Sequence, residues 1–260
     1  MNAQQLKNSI LQLAVQGKLV PQNNNDEPAS ELIKRIKLEK EKLVKEKKIK
    51  ADKNPSEIFR GSDNLPYEKV GKEVKCIADE VPFEIPDSWQ WVRLGNIGNW
   101  GSGATPSRTN AAFYGGEIPW LKTGDLNDSY IKDIPESITQ SALEKTSVKL
   151  NPIGSILIAM YGATIGKLGI LTIPATTNQA CCACLPFCEV YNKYLFYFLM
   201  AHKESFIKKG EGGAQPNISK EKIVETLIPL PPLEEQKRIV AKIEELMPYI
   251  EEYNKARNKK

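Results

Sequence analysis

Histidine is nearly missing from this 260-residue chain: His202, beside Lys203, is the only one. A lone histidine on a helix is more often inert than catalytic, and no serine lies in a nucleophile-elbow context to partner it. No Gly-x-Gly-x-x-Gly opens a strand–helix unit, which removes the usual dinucleotide site. Gly162-Ala-Thr-Ile-Gly166-Lys167 is one residue short of a phosphate loop, and Leu168 stands where a magnesium-binding hydroxyl is required. Long apolar runs are lacking too; none approaches the ~20 residues that span a membrane. The opening Met-Asn-Ala-Gln-Gln does not have the basic-then-apolar layout of a signal peptide. Strong charge of one sign is also absent, since 36 basic residues face 32 acidic ones. Any case for a polyanionic partner must therefore rest on where the charges lie. Five cysteines, an odd number with four crowded between 181 and 188, do not make a disulfide framework. These absences point to a reduced, cytoplasmic protein without a membrane span, and none of the motifs sought supports a cofactor or catalytic site.

The cysteines and one charged triplet need a closer look. Cys181, Cys182, Cys184 and Cys188 invite a zinc reading, but neighbours on a strand point to opposite faces. Asn178-Gln-Ala-Cys-Cys-Ala-Cys-Leu-Pro186 reads better as a buried strand in which cysteine serves as a small apolar residue. Glu73-Val-Lys75 has the tail of a nuclease-like acidic–basic cluster, without a partner carboxylate to hold metal.

What is present is most regular at the end of the chain. Pro229, Pro231 and Pro232 cannot extend a strand ladder, and Pro232 suits the entry to a helix. Glu234 and Glu235 follow at its positive end. Ile239, Ile243, Leu246, Ile250 and Tyr253 then recur at spacings of four and three among Glu, Lys and Asn. Two readings compete: a terminal helix packed on its own domain, or one strand of a coiled coil. The narrow stripe between wide charged flanks favours the coiled coil, with a break or kink expected at Pro248.

Towards the front, Leu6, Ile10, Leu13 and Ala14 mark one helix face that Gly17 stops. Pro28 and Glu31 start a second helix, through Ser30–Lys50, with a thin stripe of Leu32, Ile33, Ile36, Leu43 and Val44. From Lys34 to Lys53 ten basic residues face four acidic ones, either a solvated face or a phosphate-tracking surface. Residues 51–81 mix Pro, Gly, Asp and Asn without period and read as a linker. A β-rich domain of class α+β follows over 82–228. Its strand-like pieces are Trp89–Leu94, Ile118–Lys122, Ser155–Tyr161, Gly169–Thr172 and Ala180–Leu185, and an aromatic-rich helix covers Tyr191–Lys208. Helical arms at 1–50 and 229–260 flank it.

Three loops of this domain look like recognition surface. Gly101–Asn110 offers small residues for close approach together with Thr105, Ser107 and Arg108, groups suited to phosphates and base edges. Pro119–Asp125 places Lys122 beside an aromatic. Gly210–Lys220 carries Gln215 and Asn217, which have the amides that address adenine. Singly, each is an ordinary turn; their recurrence in one domain is the signal.

These residues resemble a known family, the specificity (S) subunits of type I restriction–modification systems. Leu230-Pro-Pro-Leu-Glu-Glu-Gln-Lys-Arg-Ile-Val-Ala-Lys-Ile-Glu-Glu-Leu246 resembles the start of that family's spacer helix. Gly103-Ala-Thr-Pro-Ser107, Tyr114-Gly-Gly-Glu-Ile-Pro-Trp120 and Thr177-Asn-Gln-Ala180 are similar to the framework of its target recognition domains. Leu6–Val20 resembles the far end of a spacer, and Asp26-Glu-Pro-Ala-Ser-Glu-Leu32 the segment after it. The resemblance implies sequence-specific recognition of double-stranded DNA on behalf of methyltransferase (M) and restriction (R) subunits, without chemistry in the chain itself. A full-length member has two recognition domains, whereas one is visible here. The resemblance therefore implies a homodimer whose terminal helices pair antiparallel, each N-terminal helix supporting its partner's spacer. Candidate DNA-facing residues are Thr105, Ser107, Arg108, Lys122, Tyr161, Asn178, Gln179, Gln215 and Asn217; Asn178 and Gln179 are equally suited to framework hydrogen bonds. Ile239, Ile243, Leu246 and Ile250 are the expected helix-pairing positions. Two other classes remain open: a stand-alone methyltransferase or nuclease, and a module that binds a protein partner through its helices.

Overall fold

The computed structural model describes residues 2–52, 54–210 and 217–258. Helices α1 (Ala3–Val15) and α2 (Ala29–Lys45) come first, followed by strands β1 (Ser56–Arg60), β2 (Pro66–Val70), β3 (Glu73–Cys76) and β4 (Gln90–Arg93). Next are β5 (Gly98–Ser102), β6 (Tyr114–Leu121), β7 (Ser129–Ile131), β8 (Ser137–Ile138) and helix α3 (Gln140–Lys145). Strands β9 (Ile156–Ala159), β10 (Leu168–Leu171), β11 (Thr176–Thr177) and β12 (Cys181–Pro186) lead to α4 (Asn192–Ala201), α5 (Lys203–Lys209) and α6 (Lys220–Val224). Strand β13 (Leu227–Leu230) and the 26-residue α7 (Leu233–Asn258) come last. They form two compact units interleaved in sequence: residues 1–97, 187–201 and 226–260, and residues 98–186 and 202–225. This division is not the consecutive one expected from composition.

In the first unit α1, α4 and α7 pack on one another. Leu11, Ala14 and Val15 of α1 are buried, as are Tyr194, Leu195 and Phe198 of α4 and Ile239, Val240 and Ile243 of α7. Asn2 and Gln5 close a reciprocal capping box on α1. The coiled-coil reading therefore fails at the root of α7. Ile239 and Ile243 are fully buried within the chain, Ile250 is buried, and only Leu246 is half-exposed. It is the chain's own α1, not a partner's, that packs on this helix. Pro248 does not break α7. The carbonyl its missing N–H leaves unbonded is that of Glu244, and both residues are exposed, so water can serve it.

The stretch read as a linker carries a meander in strand order β1-β2-β3. It escaped notice because its faces are mostly exposed and show no apolar alternation. Gly71, at φ +60°, permits its second turn. Arg93 of β4 bonds both carboxylate oxygens of Glu68 on β2, and Trp91 packs on Phe83 at 5.2 Å. β4 also pairs antiparallel with β13. A two-stranded ribbon has only edges, so it tolerates Pro229. The expected Tyr191–Lys208 helix is two helices, parted at His202, whose backbone lies at φ −95°, ψ 3°.

The second unit holds a five-stranded sheet in order β5-β12-β9-β10-β7 and a three-stranded one in order β11-β6-β8. β12 is a central strand paired with β5 and β9, and Cys181 on one face and Cys182 and Cys184 on the other are all buried, so both faces of the sheet are covered there. Burial pushes the Cys182 thiol up to about 12, away from the thiolate that zinc needs. No metal-holding group of His, Cys, Asp and Glu occurs among the described residues, and none of the described helices is long and apolar enough to cross a membrane.

Candidate nucleic-acid interface

Strand register brings five chain segments to one end of the second unit. Ser102, ending β5, is opposite Cys182 at the start of β12, and Cys181 is opposite Ala159, which ends β9. Leu121, ending β6, is opposite Thr177, which ends β11. Backbone hydrogen bonds tie these ends together: Gly103 N to Cys181 O at 3.0 Å, Ala104 N to Thr177 O at 2.9 Å, Asn178 N to Leu121 O at 2.9 Å and Met160 N to Ala180 O at 2.8 Å. Gly103 is required there, since a Cβ would lie 2.2 Å from Thr177 O.

The loop after β5 is fixed by two aromatics of β6. Trp120 Nε1 donates to Ala104 O at 3.0 Å, and the Tyr114 hydroxyl donates to Pro106 O at 2.6 Å. Thr105, Ser107 and Arg108 remain exposed on this anchored loop. Ser107 and Thr109 share a hydroxyl–hydroxyl bond of 2.8 Å. The Arg108 guanidinium lies 4.4 Å from the Tyr114 ring centroid and 4.8 Å from that of Trp120. It also donates to Glu136 Oε2 at 2.9 Å, while Lys122 donates to Glu136 Oε1. The Lys122 and Arg108 hydrogen bonds hold the Glu136 carboxyl below the usual carboxylate range. Exposed ion pairs contribute only ~0–1 kcal/mol, so this trio adds little to stability. Its effect is to set direction: a guanidinium stacked on rings and bonded on one side is a fork aimed in advance.

The remaining candidates among the described residues lie at the same end. Thr105 donates to the Gln179 side chain, so these two satisfy each other. Asn178 is half-buried and its Oδ1 has no hydrogen-bond partner among the described residues. Tyr161, next to Met160, bridges to Asn217, and both are exposed. Gln215 lies outside the described residues. Glu136 was missed by sequence reasoning, and no motif marks it. Tyr114 and Trp120 were visible in the Tyr114–Trp120 segment, but their stacking on Arg108 was not.

The terminal signature has a different role, inside the first unit. Glu235 is buried and accepts from Trp89 Nε1 at 2.9 Å and Gln22 Nε2 at 2.5 Å. Gln236 accepts from Tyr191 N and donates to Pro231 O, each at 2.9 Å. Arg238 bonds both oxygens of Asp26, at 2.6 and 3.2 Å. The segment from Asp26 and the signature at Glu235–Arg238 are thus two halves of one joint.

A family profile described as "Type I restriction modification DNA specificity domain" matches residues 86–260. The chain belongs to that family. It is 33% identical over 259 residues to the EcoAI specificity subunit of Escherichia coli, covering 93% of this chain and 39% of that subunit. Identity to the MjaIX specificity subunit of Methanocaldococcus jannaschii is 33% over 161 residues, or 60% of this chain and 37% of that one. The chain thus spans about two-fifths of these relatives' length. The fold is similar to that of the HsdS subunit from Thermoanaerobacter tengcongensis, with TM-score 0.56 and 24% identity over 69% of this chain and 43% of that one. A chain solved in work on assembly of the type I R-M system gives TM-score 0.59 at 19% identity, covering 89% of this chain and 52% of that one. The segments Gly103–Ser107, Tyr114–Trp120 and Thr177–Ala180 are bonded together at the strand ends.

Proposed function

We propose that this chain reads a DNA sequence for a type I restriction–modification complex, directing methyltransferase and restriction subunits to an interrupted target without catalysing a reaction itself. The recognition surface in this reading belongs to the second unit, residues 98–186 and 202–225, whose strand ends face the duplex. The observation that carries it is the preset Arg108, stacked on Tyr114 and Trp120, at an end where hydroxyls, amides and Lys122 also gather. In this reading a second copy of the chain supplies the second half-site of a cytoplasmic homodimer. The last turns of α7, where Tyr249 and Tyr253 are exposed, are the part offered to a second copy or the methyltransferase subunit. Selection from sequence-randomised duplexes, with the methyltransferase subunit bound, should recover a two-part site. Recovery of no sequence, with the subunits still bound to each other, favours a protein-interaction module instead. Arg108→Ala should then weaken binding to the selected site about tenfold at matched salt, read by fluorescence anisotropy. Equal affinity removes Arg108 from the interface.

A further inference from the structure

A carboxylate stands at the centre of the surface assigned to a polyanion. Trp120 N donates to Glu136 O at 2.9 Å, which pins the Glu136 backbone to β6 and presents its side chain to both Arg108 and Lys122. The two cations with their shared anion present one net positive charge rather than two. A structural need does not explain the arrangement, since Arg108 is exposed and Lys122 and Glu136 are half-exposed.

We propose that Glu136 is a specificity-determining residue: it occupies Arg108 and Lys122 against random phosphate contacts and yields them to a matching base pattern. The inference rests on the DNA reading above and deepens it, by naming the group that separates right sequences from wrong ones. On an arbitrary duplex, phosphates must compete with Glu136 for the same two cations, and its own charge repels them. On a matching site Glu136 can release Arg108 to guanine O6 and N7 and accept from cytosine N4 in its place, so its own hydrogen-bonding capacity is used rather than opposed. Discrimination is a difference of affinities, and the carboxylate acts mainly by weakening the unwanted member.

The test uses the full chain bound to its methyltransferase subunit, with the selected duplex and a scrambled one titrated from about 50 to about 200 mM salt. Glu136→Gln should tighten binding to the scrambled duplex about tenfold and steepen its log K against log salt slope by about 0.9, the value of one further phosphate contact. Preference for the selected duplex should narrow accordingly. Glu136→Asp, which keeps the charge, should restore most of the preference. An unchanged slope and preference in Glu136→Gln overturn the proposal. So does loss of affinity for both duplexes alike in Glu136→Gln and Glu136→Asp, the pattern of a merely structural residue. If the unsubstituted complex prefers no sequence, the DNA reading itself falls, and this proposal with it.

Discussion

Glu235 in the first unit and Glu136 in the second are each held by two donors, with opposite chemistry. Glu235 is buried and takes neutral N–H groups from Trp89 and Gln22; burial raises its pKa, against those bonds and the nearby Arg238. Glu136 lies at the surface and takes two cations, whose hydrogen bonds lower its pKa. A carboxylate surrounded by fixed neutral donors cannot be exchanged for a ligand, so it serves as a joint. One shared between exposed cations can give them up, because each partner keeps its charge when it leaves. Arg238–Asp26 and the buried Gln236 extend the joint, whereas the stacked Arg108 extends the exchangeable site.

The sharpest way to break this contrast is to damage the closed region and ask whether reading suffers. Ile243→Ala, at a fully buried position of α7, should cost about 3 kcal/mol of unfolding free energy. Leu246→Ala, half-exposed one turn on, should cost about 1 kcal/mol or less. Urea titration compares them, and equal losses would mean that the root of α7 is not closed within the chain. Glu235→Ala ranks next, at about 2 kcal/mol, because it leaves the buried Trp89 N–H without its acceptor. Glu136→Ala should stay within about 0.5 kcal/mol in the same assay. A large loss at Glu136 would erase the distinction between joint and exchangeable site.

Much of this was readable from residue order, and what was not has identifiable causes. The central strands were found from apolar runs such as Ile156–Ala159, because burial on both faces leaves a continuous signature. The β1–β3 meander was missed for the converse reason, as exposed strands carry no such pattern. The α7 stripe was seen, but periodicity identifies a face to be covered without saying by what; α1 and α4 cover it. At the site, Thr105, Arg108, Lys122 and Gln179 were picked by type, and register brings them to one end. Their pairing was illegible, because Glu136 is 28 residues from Arg108 and meets it through the pairing of β8 with β6 and the backbone bond to Trp120. The terminal signature was recognised as a motif, while the burial of Glu235 and Gln236 that gives it a physical reason needed Gln22, Trp89 and Tyr191 from distant segments.

The finest test uses pH, where the two glutamates should pull in opposite directions. Glu235 has a folded pKa above its ordinary 4.5, so its contribution to stability is fully present below 4.5 and is lost as pH rises through the raised value. Glu136 has a folded pKa below 4.5, so its contribution is present above 4.5 and is lost as pH falls through the lowered value. The stability of the unsubstituted chain minus that of Glu235→Gln should therefore decline with rising pH, in a window above 4.5. The corresponding difference for Glu136→Gln should grow with rising pH, in a window below 4.5, and with a smaller amplitude because solvent screens an exposed pair. Salt separates them further: about 1 M salt shortens the screening length to about 3 Å and should flatten the Glu136 difference, while the buried Glu235 keeps its own. Slopes of the same sign, or equal sensitivity to salt, would show that the two carboxylates are held alike after all.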